Sequence, residues 1–386
     1  MSTEGAAQEV EVLFAVRGRL ALGSGLVPGA VVVRGGRIVE VLQASGGLDL
    51  PQTVHEAAIV SAGFIDLQVN GGFGVEVGDS PEAIRHLSRQ LPATGVTSFL
   101  PTIVSSAAEF YPKACRAFVT AGETAGAVPL GLHLEGPFLS RRGAHRASAI
   151  EGASEEIFEP FLAAGVLRLV TLAPDAAGGL DRIRRLRGKG VVVSLGHTDA
   201  TYDEFIAGLD AGAVMATHLF NAMSGFSHRA PGAVGAALVD DRVTVGLIAD
   251  GVHCHPASVR LAVKAKGAER VALVTDAMAG AGMVPGVYQL DGRDILVDEM
   301  MARLPDGTLA GSSLMLDQAV RNVVEWAGTS VSDACRMASE VPAKVLGLDS
   351  KGTLASGKDA DLVLLDDTLH VAATFRNGLN VYRREP

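Results

Sequence analysis

Carboxylate and imidazole residues stand at the ends of several short apolar runs that are far apart in the sequence. If those runs are parallel strands of one closed sheet, their carboxyl ends meet on one face and the side chains converge. Two imidazoles and one carboxylate then suit a divalent cation such as Zn²⁺ or Fe²⁺, with one coordination position left open for water. The residues concerned are Glu135, His197, His218, Asp250 and Asp276, with Gln68 and Asn70 at the end of the first run.

Asp276 ends the last of these runs and indicates acid–base chemistry. A carboxylate beside a cation-activated water can take its proton and later deliver it to a leaving group. A helix cap is the alternative role for Asp276, and the two roles are compatible. Gln68 and Asn70 are neutral amides, which are weak ligands beside imidazole, so they favour one cation over two. One histidine at a strand end is more often an ordinary loop residue, but recurrence at successive runs favours a site.

The elements that must position these residues follow a regular rhythm. Eight apolar runs recur at a mean spacing of about 30 residues, the length of a βα unit. Most are almost continuously apolar, as is typical of parallel strands covered on both faces. The rhythm predicts an α/β fold, a (β/α)8 TIM barrel, whereas a doubly wound sheet would more often show a Gly-rich first turn. The runs begin near Gly63, Val96, Leu130, Leu167, Val191, Ala213, Val243 and Val271.

Helical patterns lie between several of the runs. One is predicted over Pro81–Leu91, where Pro81 suits a first helical turn. Another is predicted over Thr201–Leu209, with Thr198 or Asp199 as the capping residue.

Both ends of the chain are predicted to be β-rich, since short apolar stretches alternate there with turn residues. We expect a small β-sandwich domain formed from both termini, residues 1–60 and 353–386. The barrel is then expected over residues 61–352. A β-hairpin insertion is predicted near 285–311, where Asp-Gly turns separate alternating apolar residues.

Composition excludes several classes of function. The chain has 386 residues, 33 Lys and Arg against 43 Asp and Glu, and a net charge of −10. A chain this acidic is a poor nucleic-acid binder, so an anionic ligand must be held by a few local cations. No apolar run reaches the ~18 residues that a bilayer span needs, and Met1–Val12 lacks the order of a signal peptide. Three scattered cysteines fit free thiols, and we expect a cytoplasmic protein without nucleic-acid or membrane partners.

The motifs around these residues resemble the amidohydrolase superfamily and, within it, the family of N-acetylglucosamine-6-phosphate deacetylases. The resemblance covers roughly residues 25–383. The combination of the motifs His133–Phe138 and Thr217–Met223 is specific to the deacetylase group. The motifs are Gly63–Leu67, His133–Phe138, Gly196–Thr198, Thr217–Met223, Ile248–His253, Val274–Gly280, Gly307–Ser312 and Gly352–Leu362.

The resemblance implies one divalent metal per subunit, with Zn²⁺ preferred and Fe²⁺ as the alternative, held by Glu135, His197 and His218. Asp276 would act as general base and then as general acid. His145 would help to position the acetamide, in a stretch Arg142–His145 where this chain has Arg in place of the family's Lys.

The resemblance also implies a set of substrate contacts and a homodimer. His253 and Arg229 would hold the 6-phosphate, with Arg229 reaching across the dimer interface. From the residues alone, a solvated surface arginine is an equal alternative for Arg229. Ser140–Gly143 would be a second anion contact or a mobile lid. The full substrate-binding set is Ala144, Asn221, Ala222, Arg229, His253, Leu309, Ala310 and Gly311.

Three functions are therefore compared. The first is hydrolysis of N-acetyl-D-glucosamine 6-phosphate to glucosamine 6-phosphate and acetate. The second is deacetylation of a related compound, such as N-acetylgalactosamine 6-phosphate or an N-acyl amino acid. The third is a non-catalytic barrel that serves as a binding or assembly module, for which a missing metal ligand or a missing Asp276 would be expected.

Overall fold

The structure is a computed structural model that describes residues 13–43, 48–298 and 301–385. Residues 1–12 of the predicted terminal domain lie outside the described residues. The strands, in chain order, are β1 (Leu13–Leu22), β2 (Gly25–Arg34), β3 (Arg37–Gln43), β4 (Val54–Ala62), β5 (Phe64–Val69), β6 (Gly71–Gly72), β7 (Val75–Glu76), β8 (Val96–Val104), β9 (Val128–Pro129), β10 (Leu132–Glu135), β11 (Leu167–Leu172), β12 (Val192–Leu195), β13 (Met215–Ala216), β14 (Thr244–Leu247), β15 (Val271–Leu273), β16 (Gly286–Leu290), β17 (Arg293–Val297), β18 (Ala302–Arg303), β19 (Leu362–Leu365), β20 (Val371–Arg376) and β21 (Leu379–Arg383).

Helices cover the outside of the barrel. No helix in the described ranges combines the length and apolar character needed to cross a bilayer. The α-helices are α1 (Pro81–Gln90), α2 (Tyr111–Ala121), α3 (Ala147–Glu151), α4 (Glu159–Ala163), α5 (Gly179–Gly188), α6 (Tyr202–Asp210), α7 (Gly232–Val239), α8 (Pro256–Lys266), α9 (Leu316–Ala327), α10 (Val331–Ala338) and α11 (Glu340–Leu346), with 3₁₀ turns at Leu91–Thr94, Glu155–Phe158 and Ala268–Arg270.

Eight parallel strands form the barrel, in the order β5, β8, β10, β11, β12, β13, β14 and β15. The ring closes between its first and last strands, because the Asp276 amide donates to the Gln68 carbonyl at 3.0 Å and Val69 bridges Ala277 in parallel. Each of these strands begins at the predicted residue or within two positions of it. The predicted TIM barrel is confirmed.

Helix α6 begins one turn later than its predicted caps. Thr201 is the N-cap: its side chain accepts from the Glu204 amide, and the Glu204 carboxylate accepts from the Thr201 amide. Thr198 and Asp199 are therefore wrong as caps for this helix. Thr198 instead donates to Asp175 Oδ1 at 2.5 Å, and Asp199 forms an ion pair with Arg141.

The two chain ends form one seven-stranded sheet, in the order β21, β20, β19, β4, β1, β2 and β3. Phe14 in β1 and Phe375 in β20 have ring centroids 5.4 Å apart, although β4 and β19 lie between them in the sheet. A flat sheet would separate these strands by roughly 14 Å, so this sheet curls over a shared apolar core, as the layers of a sandwich do. Ile59, Val363 and Leu365 on the other face pack into the barrel core. The predicted β domain from both termini is confirmed, whereas its exact boundaries stay a prediction.

A separate three-stranded antiparallel sheet, β16–β18, follows the last barrel strand. Its first two strands are joined by Asp291 and Gly292, with φ of 51° and 65°. Positive φ at both central residues is the geometry of a type I′ turn, which Asp-Gly favours. This sheet packs its own small apolar cluster against the mouth of the barrel.

Candidate active site

The three predicted metal ligands come together at the carboxyl ends of β10, β12 and β13. Their nearest nitrogen and oxygen atoms lie within 4.8 Å of one another, and all three side chains are buried. Glu135 Oε1 is 2.9 Å from His218 Nε2 and 3.3 Å from His197 Nε2. Residues separated by more than eighty positions thus converge because parallel strands end on the same face of the barrel.

The donor set fits a divalent cation. His197 Nδ1 lies 2.9 Å from the Arg141 carbonyl, so it carries a proton and leaves the Nε2 lone pair facing Glu135. His218 Nε2 lies 3.2 Å from His197 Nε2. Two imidazole nitrogens this close are unfavourable unless a proton or a cation lies between them, and a cation also matches the carboxylate. Although burial raises the pKa of Glu135, its contacts with the imidazoles of His197 and His218 hold it well below its usual value.

Backbone strain marks three of the strand ends that carry site residues. His197, His218 and Asp276 have φ of 48°, 29° and 52°, in the left-handed region that residues with side chains rarely adopt. Such conformations cost of order 1–3 kcal/mol each and persist where the surrounding structure fixes them, often at functional sites. Here each one turns a side chain from the barrel wall into the common cavity.

Asp276 lies beside the ligand cluster and is held by two amides. Gln68 Nε2 donates to Asp276 Oδ1 at 2.9 Å and to Glu135 Oε1 at 3.0 Å, and Asn70 Nδ2 donates to Asp276 Oδ1 at 2.5 Å. Burial and the neighbouring Glu135 charge raise the pKa of Asp276 to about 6. The amides therefore keep two carboxylates in place without adding charge, and a proton acceptor is held close to the cation site.

His145 faces the same cluster from the loop after β10. Its Nδ1 accepts from the Ser105 amide at 3.2 Å, which places the ring proton on Nε2, 3.8 Å from Glu135 Oε2. Burial and the neighbouring His197 lower the pKa of His145 to about 3, so the ring is neutral at neutral pH. A neutral imidazole with its N–H turned into the cavity can donate to a substrate oxygen.

The segment before His145 packs over a metal ligand. The amides of Ser140 and Arg141 donate to the His197 carbonyl at 3.0 and 2.9 Å. Gly143 has φ of 56°, and a Cβ on it would meet His197 Cε1 at 2.9 Å. Only glycine allows this close approach, so the segment forms a wall of the cavity.

Most of the predicted substrate contacts line one cavity of about 280 Å³ with the ligand cluster. Ala310 is buried in the cluster of the inserted sheet and does not line it. Arg229 is exposed and borders a different depression, beside Tyr202 and Pro231. The predicted substrate residues that do line the cavity are Ala144, Asn221, Ala222, His253, Leu309 and Gly311.

His253 is held by an acidic neighbour. Its Nδ1 lies 2.6 Å from Asp250 Oδ2, and Asp250 Oδ1 accepts from the amides of Val252 and His253 at 2.8 and 2.7 Å. Asp250 therefore fixes the ring, with Nδ1 bonded to its carboxylate and Nε2 directed away from it.

Sequence reasoning missed two features of the site. It treated Gln68 and Asn70 only as weak ligands, and the amide bridge between the carboxylates depends on distances that no local pattern reveals. It also did not identify Arg293, which lines the cavity from β17. Its position next to the Asp291–Gly292 turn was the available signal, because the turn sets which hairpin residues face inward.

The comparisons with known proteins agree with this geometry. Residues 59–381 match the model of the amidohydrolase family. An N-acetylglucosamine-6-phosphate deacetylase of Bos taurus is 39% identical over 99% of this chain and 98% of its own. An N-acetylgalactosamine-6-phosphate deacetylase of Escherichia coli O157:H7 is 38% identical over 88% and 92%. A mutant N-acetyl-D-glucosamine-6-phosphate deacetylase from Mycobacterium smegmatis, solved with N-acetyl-D-glucosamine-6-phosphate, is 36% identical with a TM-score of 0.89 over 96% of this chain and 99% of its own. The chain belongs to the amidohydrolase family and, within it, to the N-acetylglucosamine-6-phosphate deacetylases.

Proposed function

We propose that the protein hydrolyses the acetamide of N-acetyl-D-glucosamine 6-phosphate and releases acetate and glucosamine 6-phosphate. The observation that carries this proposal is the convergence of Glu135, His197 and His218 in one cavity with Asp276 and His145. A secondary amide resists hydrolysis, so the reaction needs an activated water, a proton carrier and a donor to the carbonyl oxygen.

The side chains divide these tasks between them. A divalent cation held by Glu135, His197 and His218 supplies Lewis acidity and lowers the pKa of water when it is bound. Asp276 accepts the proton of the attacking water and then delivers it to the amide nitrogen as the C–N bond breaks. His145 donates its Nε2–H to the oxygen of the acetyl carbonyl, where negative charge develops.

Zn²⁺ is our first choice for the cation and Fe²⁺ the alternative, since both suit two imidazoles and one carboxylate. His253 and the partner copy's Arg229 hold the 6-phosphate in a homodimer, which agrees with the position of Arg229 outside its own cavity. We place the enzyme in the cytoplasm without nucleic-acid or membrane partners, in keeping with the net charge of −10 and the free buried thiols Cys115, Cys254 and Cys335.

N-acetylgalactosamine 6-phosphate is the second candidate substrate. The relative named as a deacetylase of this compound is 38% identical to this chain, against 39% for the Bos taurus N-acetylglucosamine-6-phosphate deacetylase. The two sugars differ at one hydroxyl, so the reaction and the residues that perform it are the same. An N-acyl amino acid is a third candidate.

Acetate release from a panel tests these proposals. The panel contains both sugar phosphates, unphosphorylated N-acetylglucosamine and an N-acetyl amino acid, each with metal-depleted enzyme and after addition of Zn²⁺ or Fe²⁺. We expect N-acetylglucosamine 6-phosphate to have the highest kcat/KM. If another compound of the panel has the highest kcat/KM, that compound is the substrate. Less than about half an equivalent of bound metal, with no activation by either ion, supports the non-catalytic module.

A further inference from the structure

The turn of the inserted sheet is fastened to the loop that carries His145. Asp291 accepts from Arg146 through its side chain and its carbonyl, and its amide donates to Glu76 Oε1 at 2.6 Å. Leu290 and Arg293 are the paired residues on either side of the turn, and both line the cavity. The turn thus directs one apolar and one cationic side chain into the site.

The guanidinium of Arg293, which lines the cavity, has hydrogen-bond donors that the protein leaves unused. Its Nη2 donates to the Ala144 carbonyl at 2.7 Å, which orients the guanidinium. Its Nε is buried and has no hydrogen-bond partner among the described residues. The protein thus uses few of the five guanidinium N–H groups, and a ligand oxygen in the cavity can accept from one of the others.

Charge points to the same conclusion. Among the described residues that line the cavity, Arg293 alone carries a permanent positive charge, whereas Glu135 and Asp276 are acidic. Arg229 borders a different depression. In a chain with a net charge of −10, an anionic ligand depends on such local cations.

We propose that Arg293 binds substrate directly from the same subunit, donating a guanidinium N–H to an oxygen of the amino-sugar phosphate while its other end holds the Ala144 carbonyl. This inference rests on the proposed function. The oxygen belongs to the phosphate or to a ring hydroxyl, and both are hydrogen-bond acceptors that a guanidinium can bind.

Steady-state acetate release by Arg293→Met tests the proposal, with Arg146→Met as the matched control that loosens the same turn without touching the cavity. We expect Arg293→Met to raise KM for N-acetylglucosamine 6-phosphate at least about tenfold and to change kcat by less than about threefold. Arg146→Met should stay within about twofold of wild type for KM. Arg293→Lys, which keeps the charge, should recover part of the lost affinity.

Unphosphorylated N-acetylglucosamine identifies the oxygen. If its KM is unchanged in Arg293→Met, the contact is the phosphate, and if it rises equally, the contact is a ring hydroxyl. The proposal is overturned if Arg293→Met leaves KM unchanged, lowers kcat alone, or is matched by Arg146→Met. Thermal unfolding midpoints check that each variant is folded. If Arg293→Met does not fold, Arg293→Gln takes its place.

Binding of glucosamine 6-phosphate, measured by calorimetry, separates this proposal from the proposed function. If the wild type binds glucosamine 6-phosphate but releases no acetate from N-acetylglucosamine 6-phosphate, the function fails, and weaker binding by Arg293→Met still supports the contact. If wild type and Arg293→Met bind glucosamine 6-phosphate with equal affinity, the Arg293 contact is overturned and the proposed function is not. A wild type that neither binds nor turns over overturns both.

Discussion

Asp66 provides a prediction whose size follows from the structure. This carboxylate is fully buried in β5, beneath the cavity, and accepts from Thr275 Oγ1 at 2.6 Å and from the amides of Gln68 and Thr275 at 3.2 and 3.3 Å. Burial raises its pKa from 3.8 to about 7, because the three donors offset only part of the cost of an ionised group there. The change we consider is Asp66→Asn.

The sign follows from proton linkage. A pKa that is higher in the folded protein means that the folded state binds the proton more tightly, so this contribution to stability is present below the unfolded pKa of 3.8. It is lost between pH about 4 and about 7, as the unfolded chain ionises first. A shift of about 3 units corresponds to about 4 kcal/mol. Asparagine cannot ionise, so Asp66→Asn should gain about that much relative to wild type across the window.

Urea unfolding from pH 3 to pH 8 measures the effect as the difference between variant and wild type at each pH. Taking the difference cancels the titration of all shared groups, including the metal ligands. Glu204→Gln is the control of opposite sign. The Thr201 amide and hydroxyl lower the pKa of Glu204, so its contribution is present above pH about 4.5 and lost as pH falls.

A difference between Asp66→Asn and wild type that stays constant over this window refutes the reasoning. It would mean that the donors from Thr275 and Gln68 stabilise the carboxylate enough to keep Asp66 ionised in the folded protein. Burial would then not be the dominant influence on this group.

The other predictions concern the reaction. Asp276→Asn should keep its metal, measured by elemental analysis, and lose at least about 10²-fold in kcat because the proton carrier is gone; wild-type turnover would remove Asp276 from that role. Arg229→Ala should raise KM strongly for the phosphorylated sugar and hardly change it for the unphosphorylated one, and equal losses on both would contradict a phosphate contact. Asp250→Asn keeps acceptors for the two amides but removes the charge behind His253, so KM for the phosphorylated sugar should rise about tenfold with kcat little changed; an unchanged KM would show that the charge has no part in binding.

The barrel strands were predictable because each is buried on both faces and therefore appears as a continuous apolar run. The same property locates the ligands, since Glu135, His197 and His218 are the polar residues at which those runs stop. The cap of helix α6 was within reach of local reasoning. Thr198 and Thr201 are equal as caps by residue type, but Glu204 follows Thr201 by three positions, and this spacing forms the capping box seen in the structure.

The inserted sheet was less accessible to prediction. Its Asp-Gly turn indicated a hairpin, but where a hairpin lies on a barrel depends on contacts between distant segments, here Asp291 with Arg146 and Glu76. The Asp-Gly turn locates Arg293 at the end of the hairpin, and the packing of the inserted sheet on the barrel brings it into the cavity. Arg229 lies outside its own cavity, so its predicted contact with the phosphate of a partner copy stays a prediction.

The terminal sheet has a consequence for biosynthesis. Strand β4 is made about three hundred residues before β19, its antiparallel partner, with Ala62 paired to Leu362. Until the ribosome has nearly finished the chain, one edge of β4 has no strand to bond with, and open edges invite association between molecules. Premature termination ahead of Leu362 would therefore leave all the barrel strands in place next to an unpaired edge of β4. We expect such fragments to need chaperones to avoid aggregation.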